Sequence, residues 1–430
     1  MSKGRLEALR RLLDHVHRVF ALEFGFLLWD GSMVPENWAR DRLYILIADE
    51  GAVAGLVRHP NLRTLANLWA AARLDIRNGT IFDLVAQRPS VRMREMRKML
   101  KKSLLLRTAT RFLFAPRGGP WPLENIGTDR PGAGSAAENK KNISYHYDIS
   151  NAFYELWLDP EMVYSCSYFT RWENSLAQAQ IDKLDMCCRK LRLQPGETVL
   201  DLGCGWGAFS IYAAQHYGVK AYGVTLSEQQ VSYANEKIKR LGLQDRVRIE
   251  LKDYATVEGV YDKVAAIGML EHVGIDNFPT YFKTVHRSLR PGGLFLHYAI
   301  TRPGKSHQAR KRQKRPEFAA LTKYIFPGGE LDYIGRTVTN LERFGFEIHD
   351  VEGWREHYQR TCRHWHDRLL ANMDAANREV GSVKARIWLM YLAACSISFE
   401  RNNVGLHQTL ASKRVKGATG LPPSRADLYR

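Results

Sequence analysis

The sequence predicts a doubly wound α/β fold preceded by a smaller α+β domain, and two features of its 430 residues lead there. From Glu197 onward, hydrophobic strands alternate with amphipathic helices, the pattern of a parallel sheet covered on both faces, with its ligand crevice at the strands' carboxyl ends. Ahead of that pattern, "APRGGPWPLENIGTDRPGAGSAAENKKN" is rich in Pro, Gly and small polar residues and sustains neither helical nor strand periodicity, which marks a seam. The expected organisation is an α+β domain over 1–115, a linker over 116–141 and the α/β domain over 142–430.

In the first domain the helical runs "GRLEALRRLLDHVHRVF" and "RMREMRKMLKKSLLLRTATRFLF" flank strand-like runs, "FGFLLWDG" and "RLYILIADE". The second domain reads in order as strand "ETVLDLG", helix "AFSIYAAQHYG", strand "KAYGVT", helix "SEQQVSYANEKIKRLGL", strands "VRIELKD" and "KVAAIGM", helix "NFPTYFKTVHRSLRPGG" and strand "LFLHYAI". A basic insertion follows, then "TVTNLERFGF", "EIHDVEGW" and a long helical tail ending in "VGLHQTLASK".

Hydrophobic residues make up 45% and charged residues 25%, enough to bury a sizeable core. Lys and Arg number 63 against 45 Asp and Glu, so the formal charge of +18 favours an acidic partner: nucleic acid, anionic lipid or a charged metabolite. The six cysteines lack CxxC spacing, which predicts free thiols in a reducing cytoplasm and no metal site. The opening "MSKGRLEALRRLLDHVHRVF" is charged throughout, without an apolar signal core, and no apolar run approaches the ~18 residues of a spanning helix. Any membrane contact is therefore expected from the surface.

Chemistry concentrates first at "VLDLGCGWGAF", where Asp201, Gly203, Gly205 and Gly207 occupy the turn from a hydrophobic strand into a helix. Glycines let a ligand approach the backbone, and the following helix offers free amides to a carboxylate. The spacing is GxGxG, not the GxGxxG of dinucleotide binders, and resembles the first motif of S-adenosylmethionine-dependent methyltransferases. This makes the expected sheet Rossmann-like. The second strand ends at Thr225 where an acid usually meets the ribose hydroxyls; either Glu228 substitutes from the helix start or neutral polar groups serve.

The segments "NISYHYDISNAFYELWLD", "VYSCSYF", "LDLGCGWG", "GVTLSEQQ", "GMLEHVG", "LFLHYAI" and "YIFPGG" occur in order between about Asn142 and Lys413. Together they resemble the cyclopropane-fatty-acyl-phospholipid synthase family, which includes the mycolic acid cyclopropane synthases. The resemblance implies that Tyr164, Ser165, Gly203, Gly205, Thr225, Leu226 and Gln230 hold the cofactor, with Asp253 and Tyr254 near the adenine. It also implies the reaction: a cis alkene in an acyl chain attacks the sulfonium methyl, and the resulting carbocation loses a proton from that methyl as the ring closes. The base implied is a bicarbonate ion held by Cys166, Glu271, His297, Tyr358 and the backbone of Ala299. At Ala299 the family pattern carries isoleucine, a change that bears on pocket volume because the contacting atom is a carbonyl.

Taken without the resemblance, each of these side chains has a plainer reading. A free cysteine usually packs as a small hydrophobe; it is the resemblance, which also puts Tyr164 and Ser165 on the cofactor, that implies Cys166 lines the anion pocket as a weak donor and not a nucleophile. Glu271 reads equally as a helix N-terminal carboxylate satisfied by free amides, His297 as a hydrogen-bonded histidine and Tyr358 as core. Most aromatics near these motifs are packing, although some ring faces suit a cationic transition state.

Two basic runs are candidates for an anionic membrane surface: "RMREMRKMLKK", which reads first as a solvated charged face, and "KSHQARKRQKR", which reads first as a contact for a membrane or other polyanion. The expected partner is unsaturated phospholipid, met at the cytoplasmic face of a membrane. "FGFLLWDGSMVP" and "DLVAQRP" are similar to the amino-terminal domains of long bacterial family members, an analogy that assigns the first domain membrane binding or homodimer formation. Alternatives are a lipid methyltransferase giving a methyl-branched or methylene product, and a noncatalytic lipid-binding protein retaining the fold. No NPPY-like base-methylation motif occurs, so nucleic acid is not the expected partner.

Overall fold

In the computed structural model, residues 3–87, 95, 98–124, 149–304, 325 and 329–429 are described. The basic run over 305–315, most of the 116–141 linker, residues 142–148 and most of "YIFPGG" lie outside them, as does much of "RMREMRKMLKK". The chain divides into two compact units, one formed within residues 3–124 and 381–393, the other from the remaining described residues.

The first unit is built on a four-stranded sheet of β1 (Gly25–Leu27), β2 (Met33–Val34), β3 (Tyr44–Ile47) and β4 (Leu74–Arg77), in the order β2-β1-β3-β4. β1 and β3 run parallel while both outer pairs are antiparallel. Phe24, Phe26, Leu28, Ile47, Leu68 and Phe112 form its core together with residues of the helices Lys3–Phe20, Glu50–Arg58 and Lys102–Leu113. Asp49 caps the helix it precedes through Ala52 N (2.9 Å) and receives a two-pronged bond from the buried Arg73 guanidinium (2.6 and 2.7 Å). Residues 381–393 join this unit through Arg386, which donates to Trp69 O (2.7 Å) and Asp75 (2.9 Å) and accepts at its carbonyl from Trp69 Nε1 (2.8 Å). Contacts so distant in sequence leave no periodic trace.

The second unit carries a seven-stranded sheet: β5 (Thr198–Leu202), β6 (Lys220–Thr225), β7 (Val247–Leu251), β8 (Tyr261–Ile267), β9 (Leu289–Thr301), β10 (Phe346–Gly353) and β11 (Gly405–Lys413). Their order is β10-β11-β9-β8-β5-β6-β7, parallel from β9 to β7 and antiparallel at β11 and β10. This is the doubly wound α/β fold expected. β6 lies on one side of β5 and β8 on the other, so the topological switch, and with it the crevice, falls at the carboxyl end of β5.

One element differs from the sequence reading. The helical tail ends at Glu400, and "GLHQTLASK" is a strand inserted between β9 and β10. Its central residues are buried on both faces, so its polar members lie inside: Gln408 accepts from Lys190 Nζ (2.7 Å), and Ser412 meets His349 Nε2 (2.8 Å). Buried, internally satisfied polar groups erase the alternation by which a strand is recognised.

Candidate active site

β5 ends at Leu202 and the chain passes through Gly203, Gly205 and Gly207, all at positive φ (75°, 57° and 84°), into the helix Ala208–Tyr217. Side chains rarely adopt that conformation, which explains the glycines. Their surroundings differ. A Cβ on Gly207 would stand 2.5 Å from Ile249 Cδ1 and one on Gly203 3.2 Å from Met269 Cβ, whereas at Gly205 nothing lies within 4 Å. Gly207 therefore lets the turn pack on the sheet, and Gly205 faces open space.

That space is a cavity of about 1090 Å³, counted to its open mouth. Its wall includes Tyr164, Ser165, Asp201, Gly203, Gly205, Thr225, Leu226, Gln230, Asp253 and Tyr254, but not Gly207. Thr225 Oγ1 and Gln230 Oε1 are joined at 2.6 Å, while Glu228 is exposed and outside the wall. At the end of β6 the cavity is thus lined by the neutral polar pair and not by Glu228. The Tyr164 ring packs among Tyr154, Trp157 and Trp365, with centroids 5.2 to 5.8 Å away.

Lys183, which the sequence reading did not select, is also on the wall, buried, and donates from Nζ to Ser165 Oγ at 3.0 Å. Its signal was its position: Gln180, Lys183, Leu184 and Cys187 share the buried face of the helix Leu176–Leu191, and lysine on such a face is unusual. Its charge acts on Asp201, which accepts from Ser210 Oγ at 2.9 Å and is pushed up to about 7 by burial.

This raised carboxyl has a testable consequence. The folded chain binds the Asp201 proton more tightly than the unfolded chain, so the group's contribution to stability is most favourable below about 3.8 and declines as pH rises through about 7. Asp201→Asn retains an acceptor for Ser210 and removes the ionisation. In cofactor-free protein, the variant is expected to gain stability relative to wild type across that window, measured by urea denaturation on either side of it. An unchanged difference would contradict the buried-carboxyl account.

None of the five residues expected around an anion is on the cavity wall; two adjoin it in the chain, Cys166 after Ser165 and Glu271 before His272, while His297 and Ala299 lie within β9 and Tyr358 on the helix Arg355–Ala371. Cys166, Glu271, His297 and Ala299 are buried. Tyr358 keeps some accessible surface, yet its ring stacks on Phe399 (4.5 Å) and is densely enclosed, which raises its phenol and keeps it protonated. Burial pushes the Cys166 thiol up to about 12, so no thiolate forms near neutrality.

Successive side chains of a strand point to opposite faces, and β9 divides the group accordingly. On one face Tyr298 OH donates to Cys166 O (3.3 Å), with Tyr358 nearby. On the other, His297 Nδ1 meets Tyr281 OH at 3.0 Å, and burial lowers the imidazole to about 4, leaving it neutral. Glu271 couples the two sides, its charge acting on both Tyr281 and Tyr358, while Oε1 accepts from Ile300 N at 2.5 Å. Burial raises the Glu271 carboxyl to about 7. Among the described residues, Glu271 Oε2 and His297 Nε2 are buried without a hydrogen-bond partner. Such atoms are costly unless a ligand completes them.

Comparison with known proteins agrees with this architecture. The mycolic acid cyclopropane synthetase family model matches residues 135–409. A probable fatty acid methyltransferase of Pseudomonas putida is 42% identical over 291 residues, 67% of this chain and 73% of the relative. The cyclopropane-fatty-acyl-phospholipid synthase of Escherichia coli K12 is 35% identical over 271 residues, 63% of this chain and 67% of that one. Among solved structures, mycolic acid cyclopropane synthase CmaA1 complexed with SAH and CTAB aligns with a TM-score of 0.60 at 31% identity, covering 64% of this chain and 98% of that chain.

Proposed function

The chain belongs to the mycolic acid cyclopropane synthetase family, and on that footing we propose that it transfers a methylene group from S-adenosylmethionine to the cis double bond of unsaturated phospholipid acyl chains, forming cyclopropanes. The family and the methyltransferase sheet make it an S-adenosylmethionine-dependent methyltransferase; the acyl substrate and the base are the proposal. The observation that carries it is the buried Glu271 Oε2, without a hydrogen-bond partner among the described residues and next in the chain to a cavity wall whose glycine turn leaves open space at Gly205.

The cofactor would be held by Tyr164, Ser165, Gly203, Gly205, Thr225, Leu226, Gln230, Asp253 and Tyr254. S-adenosylmethionine, when bound, would supply an electrophilic methyl; bicarbonate, the base the family implies, would be held at Glu271, whose charge acts on both sides of β9, with His297 on one face and Cys166 and Tyr358 on the other. The chain's own part is to position and to exclude water. Glu271 offers a carboxylate oxygen able to hold a proton, His297 offers a neutral ring nitrogen, and Cys166 and Tyr358 stay protonated and can donate. The Tyr164 cluster would exclude water from around a developing positive charge, where an aromatic face is worth about 1 to 2 kcal/mol when desolvated.

No helix among the described residues is long and apolar enough to cross a membrane. The proposed setting is the cytoplasmic face of an anionic membrane, reached from the surface, with the first unit assisting by membrane binding or dimerisation. A second reading has one specific support: the Pseudomonas putida relative is named a probable fatty acid methyltransferase, a name that fits a methyl-branched or methylene product as well as a ring. Incubation with labelled S-adenosylmethionine and mixed-lipid vesicles, followed by mass spectrometry of the released fatty acids, tests the proposal. Label in acyl chains is expected; label in head groups alone, or in no lipid, would contradict it.

A further inference from the structure

The helix Lys102–Leu113 buries one side against the helix Lys3–Phe20: Phe112 and Thr108 are inaccessible, Thr108 Oγ1 donates to Ala8 O (3.2 Å), and Arg5 Nε donates to Arg111 O (3.1 Å). A surface helix normally turns polar residues outward opposite such a face. Here the outward side carries Leu106 at 67% exposure and Leu113 at 45%, seven residues apart and so in line, followed by Phe114 at 87%. Lys102 and Arg107 lie among them on the exposed surface.

The charge around this stripe is one-sided. Between Glu95 and Glu124 the sequence holds seven Lys or Arg and no acid, and among the described residues Lys101, Lys102 and Arg107 enter no ion pair. Apolar side chains projecting singly from a convex helix, flanked by unpaired cations, suit a surface that is fluid, apolar just below its boundary and negatively charged. We propose that Lys102–Phe114 is the face by which this protein docks on an anionic phospholipid bilayer, with Leu106, Leu113 and Phe114 entering the interface and Lys102 and Arg107 meeting lipid phosphates. This rests on the phospholipid reading above only for the choice of surface.

The test uses the full chain, without methyl donor, and vesicles of phosphatidylcholine with or without phosphatidylglycerol. Wild type is expected to co-sediment with the anionic vesicles and to be released by salt. The triple variant Leu106→Gln, Leu113→Gln, Phe114→Gln should bind at least tenfold more weakly with an unchanged melting temperature, because these side chains are exposed. Lys102→Glu with Arg107→Glu should abolish the preference for phosphatidylglycerol while leaving methyl transfer to detergent-dispersed unsaturated phospholipid intact. Equal adsorption by wild type and triple variant would overturn the proposal. So would a wild-type dimer that the triple variant dissociates, showing the face covered by a second copy, or an absence of vesicle binding, whatever acidic protein the face then captures. Methyl transfer to dispersed lipid that persists despite failed docking separates this inference from the reaction itself.

Discussion

Glu271→Gln is expected to lower turnover at least about a hundredfold, the usual scale for losing a group that handles a proton, while the affinity for S-adenosylmethionine changes no more than about threefold. The substitution is conservative where it matters: glutamine keeps an acceptor for Ile300 N, so the carboxyl end of β9 holds its shape. What disappears is a carboxyl raised by burial to about 7 and placed to act on both sides of β9. Wild-type activity should therefore rise with pH on a limb at or somewhat below 7, because the ionised carboxylate is the working form and a bound sulfonium favours it. The variant should lose that limb. Unchanged turnover in Glu271→Gln would remove the residue from the mechanism; loss of cofactor affinity would make it a structural support of the donor site.

Gly205→Val should weaken S-adenosylmethionine binding at least tenfold while the protein stays folded. At φ 57° a side chain costs about 1 to 2 kcal/mol of backbone strain, but the new Cβ meets no atom within 4 Å and enters the space assigned to the cofactor. Gly207→Val should do the reverse in emphasis, since its Cβ would overlap Ile249 Cδ1, and the damage should appear first as lost thermal stability. Calorimetric titration with S-adenosylmethionine, paired with thermal denaturation of each variant, reads both effects. Equal cofactor affinity in wild type and Gly205→Val would place the donor elsewhere.

Legibility in the sequence followed the strength of the local physical demand. The glycine turn was readable because positive φ is nearly exclusive to glycine, and β5, β6 and β8 because their apolar runs are bounded by it and by each other. β11 was not, because Gln408 and Ser412 find buried partners, Lys190 on a covering helix and His349 on β10, and so break the pattern that marks strands. Lys183 was passed over because lysine is normally solvated, and only its phase on the helix Leu176–Leu191 betrayed burial. The alternative at the end of β6 is open from spacing alone, and family resemblance favours Thr225 and Gln230 over Glu228. Cys166, Glu271, His297 and Tyr358 came from family resemblance, and what that resemblance could not convey is their division by β9, with Tyr298 on one face and His297 on the other. The attachment of residues 381–393 to the first unit rests on Arg386 and Trp69, a pairing no local pattern announces.

The most direct measurement is the isotope content of the product formed from S-adenosylmethionine bearing a trideuterated methyl and vesicles of cis-unsaturated phospholipid. If the added carbon loses a proton to a base in this crevice as the ring closes, the fatty acid carries two deuterons on a cyclopropane carbon. A product that retains all three deuterons on a methyl branch, or lipid that acquires none, would contradict the account.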